Sequence, residues 1–174
     1  MQRALLVIAP TVFRDEEYLE PRDVLEHAGV EVVTASVAPG RCVGRFGAEV
    51  TADIAVRDAD GATFDAVVFV GGGGASVYFD DPEAHRVARE AVRADRVLGA
   101  ICIAPSTLAH AGLLEGVRVT AFPSQREDLV AHGAVWTGAN VETDGLIVTA
   151  NGPEAATAFG RRLVELLEGA TPGF

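Results

Sequence analysis

Short apolar runs alternate along the chain with longer segments in which apolar residues recur at helical spacing. Residues 4–9, 31–36, 65–70 and 97–100 are mostly apolar and predict buried β-strands. The segments of helical periodicity lie at residues 16–28, 82–94, 105–111 and 154–167. Short strands that are apolar throughout and alternate with helices are typical of a parallel sheet covered on both faces. The pattern therefore predicts a doubly wound α/β fold.

The remaining segments are less regular. Residues 46–56 predict one or two short antiparallel strands. Further strands are predicted at residues 117–120, 135–141 and 146–150. A tail containing Gly and Pro follows the last helix, and the length of 174 residues predicts one domain over residues 1–174.

The charge of the chain narrows the classes of function. The formal net charge is −11, and all 14 basic residues are arginine. Without lysine, Schiff-base chemistry and phosphate-binding loops that need lysine are excluded. The acidic balance argues against nucleic acid as a partner. No run approaches the roughly 20 apolar residues of a membrane span, and no secretory leader is recognisable, so we expect a cytoplasmic protein without a membrane partner.

Cys102 is the first candidate for chemistry, because it lies between a predicted strand and a predicted helix. A side chain at such a corner projects at the edge of the sheet, where helix amides and the helix dipole favour thiolate. We therefore expect a thiol pKa below the roughly 8.5 of free cysteine. The alternative is a buried structural cysteine, a common core residue. We expect Cys42 to be structural or at a subunit contact, and not bonded to Cys102.

Two further segments should reach the same edge of the sheet. Residues 71–74 are four glycines that follow a buried strand, and their amides could bind an anion or an oxyanion. Their spacing is not that of a dinucleotide-binding motif, and the alternative is a flexible turn. Acidic residues within residues 15–20 follow the first strand; one could enter the site, or all could be solvated at a helix N-terminus.

Together, these segments resemble the ThiJ/PfpI superfamily. The stretch AICIAPSTLAHAGLLEGVRVTAFPS resembles the family's cysteine elbow, and VVFVGGGG stands where the family has a strand followed by Pro-Gly-Gly. The stretch EEYLEPRDVLEHAGVEV resembles its first helix, and ETDGLIVTANGP its near-terminal strand and Gly-Pro turn. The resemblance covers residues 4–167 and implies a flavodoxin-like, class I glutamine amidotransferase-like sheet sandwiched by helices.

The resemblance also implies roles for individual residues. Cys102 would be the nucleophile, and Glu17, four residues before Pro21, would be a protonated carboxyl beside the sulfur. Burial beside a thiolate should raise the pKa of such a carboxyl. The backbone amides of Gly73 and Ile103 would form an oxyanion site. We expect no cofactor and no metal, because the four histidines lack the usual ligand spacing.

Ile103 and Phe122 occupy positions at which some family members carry histidine. We therefore expect weak thiol chemistry on small reactive aldehydes, of the glyoxalase III or deglycase type, with Glu17 moving the protons. One alternative is a redox-sensing or stress-protective protein oxidised at Cys102. An intracellular peptidase ranks last, because the base for acyl transfer is missing. The resemblance also implies a homodimer or a higher homo-oligomer.

Overall fold

A seven-stranded sheet lies at the centre of the protein. The computed structural model describes residues 1–170. The strands, numbered in chain order, are β1 (Arg3–Val7), β2 (Thr11–Phe13), β3 (Glu31–Ser36), β4 (Gly40–Gly44), β5 (Glu49–Ala52), β6 (Ile54–Ala55), β7 (Ala66–Phe69), β8 (Val97–Ile101), β9 (Arg118–Val119), β10 (Val135–Trp136), β11 (Val141–Asp144) and β12 (Ile147–Ala150). The order in the central sheet is β11-β12-β8-β7-β1-β3-β6. All neighbours are parallel except β11 and β12.

Helices cover both faces of this sheet, which confirms the predicted doubly wound α/β fold. They are α1 (Asp15–His27), α2 (Pro82–Arg93), α3 (Pro105–His110), α4 (Arg126–Ala131) and α5 (Ala156–Ala170). Alternate residues of a strand face opposite sides. Leu6 therefore joins the core formed with α1 and α5, whereas Leu5 joins the core formed with α2 and α3. This two-sided burial explains why the central strands are apolar throughout.

Two of the predicted strand regions differ from the structure. An antiparallel pair was expected within residues 46–56, but the observed pair is β4 with β5 and begins earlier in the chain. The next strand, β6, joins the central sheet parallel to β3. The single strand expected at residues 135–141 is divided into β10 and β11, and Gly138 between them has a positive φ of 69°. In each case a turn falls inside a segment of strand-like composition.

The last helix and the tail also differ from the sequence prediction. Helix α5 continues to Ala170, and residues 171–174 of the expected tail lie outside the described residues. Within residues 1–170, no helix combines the length and apolar character needed to cross a membrane.

The candidate site lies at the carboxyl ends of three adjacent parallel strands, β1, β7 and β8. The segment after β1 leads into α1, the segment after β7 contains the four glycines, and the segment after β8 contains Cys102. Ligands of open α/β sheets bind at this edge. The topology therefore brings together the three segments that the sequence analysis selected.

Candidate active site

Cys102 forms a sharp corner between β8 and α3. Its φ is +65°, in the left-handed region that residues other than glycine rarely adopt, which confirms the predicted elbow geometry. The Cys102 amide donates to the Ala150 carbonyl at 2.9 Å, and the Cys102 carbonyl accepts from the Phe122 amide at 2.9 Å. Such a conformation costs about 1–3 kcal/mol and persists only when its surroundings hold it. These two hydrogen bonds fix the side chain at the sheet edge.

Glu17 lies in the first turn of α1, and its side chain is completely buried. Within the described residues, neither of its carboxyl oxygens has a hydrogen bond of ordinary geometry. A methyl group added at Gly71 would clash with both Glu17 Oε1 and the Cys102 Cβ. The carboxyl and the cysteine side chain therefore face the same small space, which Gly71 keeps open by having no side chain.

The neighbouring acidic residues have other partners. The Asp15 carboxylate accepts hydrogen bonds from the Phe46 and Ala48 amides, both at 2.9 Å. Glu16 pairs with the Arg14 guanidinium at 2.6 Å. Glu17 is thus the carboxyl beside Cys102, in the register that the family resemblance, aligned on the proline of the first helix, implied.

The pKa values of Glu17 and Cys102 are both raised. Burial raises the pKa of Glu17 to about 8, so that this carboxyl is protonated at pH 7, as the sequence analysis expected. Burial, together with the negative charge that Glu17 can carry, raises the pKa of Cys102 to about 11. The expectation of a lowered thiol pKa is therefore wrong, because desolvation outweighs the amides near the sulfur. The two groups titrate as a coupled pair.

The amides that stabilise a charge on the sulfur are those of Gly72 and Ile103, since hydrogen bonds from both lower the pKa of Cys102. Gly73, the predicted partner of Ile103, instead lines the pocket in front of the thiol. The Gly72 amide thus acts on the sulfur, and a role for the Gly73 amide in binding a substrate oxyanion stays a prediction. Four consecutive glycines carry no side chain that fixes the alignment, so the register within them could not be decided from sequence.

A pocket of about 250 Å³ opens in front of Cys102. It is lined by Arg14, Arg45, Gly72, Gly73, Cys102, Ile103, Phe122, Ser124 and Pro153. None of these lining residues is a histidine. A larger hollow of about 310 Å³ shares Phe122 and Pro153 with this pocket but is not lined by Cys102, so the smaller pocket is the candidate site. Arg14 and Arg45 could not be identified as pocket residues from the sequence, because only the fold brings them to the pocket.

A second polar cluster, also missed from the sequence, surrounds His110. The Nδ1 atom of His110 contacts the Asp80 carboxylate at 2.7 Å, and Nε2 contacts the Asp128 carboxylate at 2.9 Å. The His132 ring stacks on that of His110, with centroids 4.7 Å apart. Burial lowers the pKa of His110, but the hydrogen bonds to Asp128 and Asp80 outweigh it and leave this pKa raised.

This histidine cluster also bears on metal binding. Donor atoms of His110, Asp128 and His132 lie within 4.8 Å of one another, close enough for a metal ion. Both ring nitrogens of His110 are already engaged by carboxylates, however. We therefore describe the cluster as a set of ion pairs that joins α3 to α4 and to the segment before α2.

The chain is similar to known proteins over nearly its whole length. The family model described as the DJ-1/PfpI family matches residues 2–166. A deglycase of Pyrococcus abyssi is 30% identical over 164 residues, which are 94% of this chain and 99% of that protein. A glutathione-independent glyoxalase of Caenorhabditis elegans is 30% identical over 168 residues, 95% of this chain and 89% of that protein.

Solved structures give the same result. The crystal structure of a ThiJ/PfpI domain protein from Brachyspira murdochii has a TM-score of 0.95 to this chain at 30% sequence identity. The match covers 97% of this chain and 98% of that one. Sequence and structure thus point to one family.

Proposed function

The chain belongs to the DJ-1/PfpI family, and from this premise we propose that it converts small reactive carbonyl compounds at Cys102 by glyoxalase III or deglycase chemistry. The observation behind the proposal is the corner at Cys102, whose φ of +65° holds the thiol beside the buried Glu17. The names of the two relatives, a deglycase and a glyoxalase, support the same chemistry.

The proposed reaction begins with addition of the thiol to a 2-oxoaldehyde such as methylglyoxal. The Cys102 sulfur attacks the aldehyde carbon, the S–C bond forms, and the thiol proton passes to the aldehyde oxygen, which gives a hemithioacetal. Negative charge that develops on this oxygen would be stabilised by backbone amides, those of Gly72 and Ile103, which act on the sulfur, and that of Gly73, which lines the pocket.

Glu17 then moves a proton between the two carbonyl carbons. The ionised form of Glu17, a minority at pH 7 because its pKa is about 8, takes the proton from the former aldehyde carbon and returns it to the neighbouring ketone carbon, while the hydroxyl proton of the hemithioacetal passes to the ketone oxygen. The first carbon thereby becomes a thioester and the second an alcohol. The substrate oxidises and reduces itself, and no external oxidant is consumed. Water hydrolyses the thioester, which releases lactate and restores the thiol. A carboxyl with a pKa of about 8 can both accept and donate a proton near neutral pH.

The test uses the two free cysteines as a matched pair. Methylglyoxal consumption and lactate formation are measured for the wild type, Cys102→Ser and Cys42→Ser. We expect Cys102→Ser to lose turnover, because oxygen is a far weaker nucleophile than sulfur in this setting. Cys42, which is buried in β4 and outside the pocket, should tolerate the same change. Wild-type turnover in Cys102→Ser would reject the proposal.

A second candidate function is a redox sensor, which the isolation of the Glu17 carboxyl favours. Its protonated form has no other hydrogen-bond partner within the described residues, so it can donate to an oxygen of a Cys102 sulfinate. Mass spectrometry after mild peroxide treatment tests this. Gain of two oxygens at Cys102, together with an absence of carbonyl turnover, would favour the sensor over the enzyme.

A homo-oligomer and a cytoplasmic location remain proposals. Exposed aromatic side chains near the pocket support self-association, since Phe46 is 62% and Phe122 is 44% exposed in the single chain. Light scattering coupled to size-exclusion chromatography tests the oligomeric state. A monomer at micromolar concentration would contradict a stable dimer.

A further inference from the structure

The wall of the Cys102 pocket is positively charged in a protein of strongly negative charge. The net charge is −11, yet the charged side chains that line the pocket are those of Arg14 and Arg45. Neither is needed for the thiol addition or the proton transfer described above. Cations around a nucleophile raise the local concentration of anions, even though the net negative charge of the protein repels anions overall.

The turn that carries Arg45 is held in place by buried contacts. Asp15, which is only 6% exposed, accepts hydrogen bonds from the amides on either side of Gly47, those of Phe46 and Ala48. The Arg45 amide donates to the Phe13 carbonyl at 2.9 Å. A side chain at Gly44 would clash with the Asp15 carboxylate. The backbone of Arg45 is thereby fixed at the pocket.

The two guanidinium groups lie over one aromatic ring. The Arg14 guanidinium carbon is 4.8 Å and that of Arg45 is 5.5 Å from the centroid of the Phe46 ring. Arg14 is paired with Glu16. Within residues 1–170, by contrast, no carboxylate lies within ion-pair distance of Arg45, which leaves its donors available to a ligand. The charge of Arg45 is therefore uncompensated at the pocket.

We propose that this pocket selects carbonyl substrates that carry an anionic group, a carboxylate or a phosphate, which Arg45 binds while Cys102 attacks the carbonyl carbon. Arg14 lies on the same side of the pocket but is paired with Glu16, so Arg45 is the group that binds the anion, and Asp15 is a positioning residue for Arg45. The planar guanidinium matches the oxygens of either anion. A pocket of about 250 Å³ accommodates a small molecule of this kind. The inference rests on the proposed function, whose substrate class it narrows.

The first experiment measures charge selection at Cys102 without any turnover. Iodoacetate and iodoacetamide have nearly the same shape, and each loses iodide to a thiolate to form an S–C bond, but only iodoacetate is an anion. The rate ratio of iodoacetate to iodoacetamide at Cys102 is compared with that of N-acetylcysteine. We expect a ratio at least about fivefold higher at Cys102, the effect of one partly solvated charge pair.

Variants identify the source of this selection. Arg45→Gln should lower the rate ratio toward that of N-acetylcysteine, and Arg45→Lys should retain part of it. Arg41→Gln is the matched control, because Arg41 is an exposed arginine of the same hairpin that pairs with Glu49 and does not line the pocket. A wild-type ratio equal to that of N-acetylcysteine, or an unchanged ratio in Arg45→Gln, would overturn the proposal.

Competition distinguishes the two kinds of anion. Acetate and inorganic phosphate are added at constant ionic strength, and the one that slows iodoacetate labelling at the lower concentration identifies a carboxylate or a phosphate as the preferred group. Protection by neither would contradict an anion site.

The second experiment uses turnover. 4,5-Dioxopentanoate and its methyl ester are 2-oxoaldehydes that differ in one charge, and the acid should have the higher kcat/KM, by about fivefold. Arg45→Gln should reduce this preference, whereas Arg41→Gln should keep it. Equal kcat/KM values for acid and ester would contradict the substrate class. Absence of turnover with either compound, combined with an intact preference for iodoacetate, would reject the proposed function and leave the anion site supported.

Discussion

Two groups of ionisable side chains, one around His110 and one at Glu17, are buried in contrasting ways. His110 lies between the carboxylates of Asp80 and Asp128, and Asp128 also has a hydrogen bond with Ser106. Glu17 is more deeply buried, yet its carboxyl has no partner of ordinary geometry within the described residues. In the first group the partners outweigh the effect of burial on the pKa, and in the second burial outweighs the contact with Cys102 and the charge of Arg14.

The difference separates a structural cluster from a reactive one. Compensated ion pairs join helices and stabilise the native state at modest gain. An uncompensated buried carboxyl destabilises the fold, so its retention beside a strained cysteine points to chemistry. The raised pKa of His110 comes from its partners, whereas that of Glu17 comes first from burial. Variants of Glu17 and His110 can therefore test whether the two groups differ in this way.

Catalysis should change more than any other property. Glu17→Gln keeps the shape of the side chain but cannot transfer a proton, so methylglyoxal turnover should fall by roughly 10²–10⁴-fold. His110→Gln, outside the pocket, should leave turnover close to that of the wild type. Steady-state lactate formation measures both. Full activity in Glu17→Gln would mean that another base moves the proton.

The next effect is on stability, and its sign follows from linkage. The pKa of Glu17 rises from an ordinary 4.5 to about 8 on folding. The contribution of Glu17 to the free energy of unfolding is therefore fully present below pH 4.5 and is lost as the pH rises through 8. Each pH unit in that window is worth about 1.4 kcal/mol. The free energy of unfolding of Glu17→Gln, measured relative to that of the wild type, should therefore increase by about 3 kcal/mol between pH 4.5 and pH 7.

Urea denaturation at several pH values measures this gain, with Glu16→Gln as the control for loss of one carboxylate. Parallel pH profiles for the wild type and Glu17→Gln would show that Glu17 is not held protonated by the fold.

A smaller effect of opposite direction is expected at the paired cluster. His110→Gln should destabilise the protein by about 1–2 kcal/mol at pH 6, because it removes charge-assisted hydrogen bonds to Asp128 and Asp80. The folded-state pKa of His110 is raised above 6.5. Its contribution is therefore complete below pH 6.5 and is lost as the pH rises through the raised value. The loss in His110→Gln should shrink by pH 9, and an equal loss at both pH values would contradict a charged histidine.

The smallest effect concerns the midpoint of a titration. In the wild type, the rate of Cys102 alkylation by iodoacetamide should rise at pH values well above the roughly 8.5 of free cysteine, because burial and the charge of ionised Glu17 raise the pKa of the thiol to about 11. Glu17→Gln removes that charge and should move the midpoint to lower pH. A single inflection below pH 7 in the wild type would show that the amides of Gly72 and Ile103 outweigh burial after all.

Much of the fold could be predicted from the sequence, because strands that are buried on both faces are apolar throughout and are easily recognised. The strand expected at residues 31–36 is observed as Glu31–Ser36, and the helix expected at residues 82–94 is observed as Pro82–Arg93. Helix α4 was missed, because its six residues include only Leu129 as a buried side chain and show no period. Short elements held mainly by their neighbours carry little pattern of their own.

The site could be predicted only where the sequence carries a local marker or a family motif. The strand-to-helix transition marks Cys102, whereas Glu17 was singled out among the acidic residues by the family resemblance, aligned on the proline of the first helix. Burial is a property of the folded chain, so the sequence could not show that the pKa of the Cys102 thiol is raised rather than lowered. Arg45 and Asp15 are brought together by a turn whose hydrogen bonds join distant segments. The His110 cluster draws on three separate segments, which no spacing rule anticipates.

The geometry of the site also has a consequence for the folding of the chain. Glu17 belongs to a helix that packs on one face of the sheet, and Cys102 leads into a helix that packs on the other. The Cys102 side chain itself packs in the core formed with α1 and α5, so its meeting with Glu17 across Gly71 requires α1 to be docked on the central strands. A folding intermediate without α1 in place would have an ordinary, exposed thiol. Pulse alkylation of Cys102 during refolding would therefore time the docking of this helix, with no probe added to the chain.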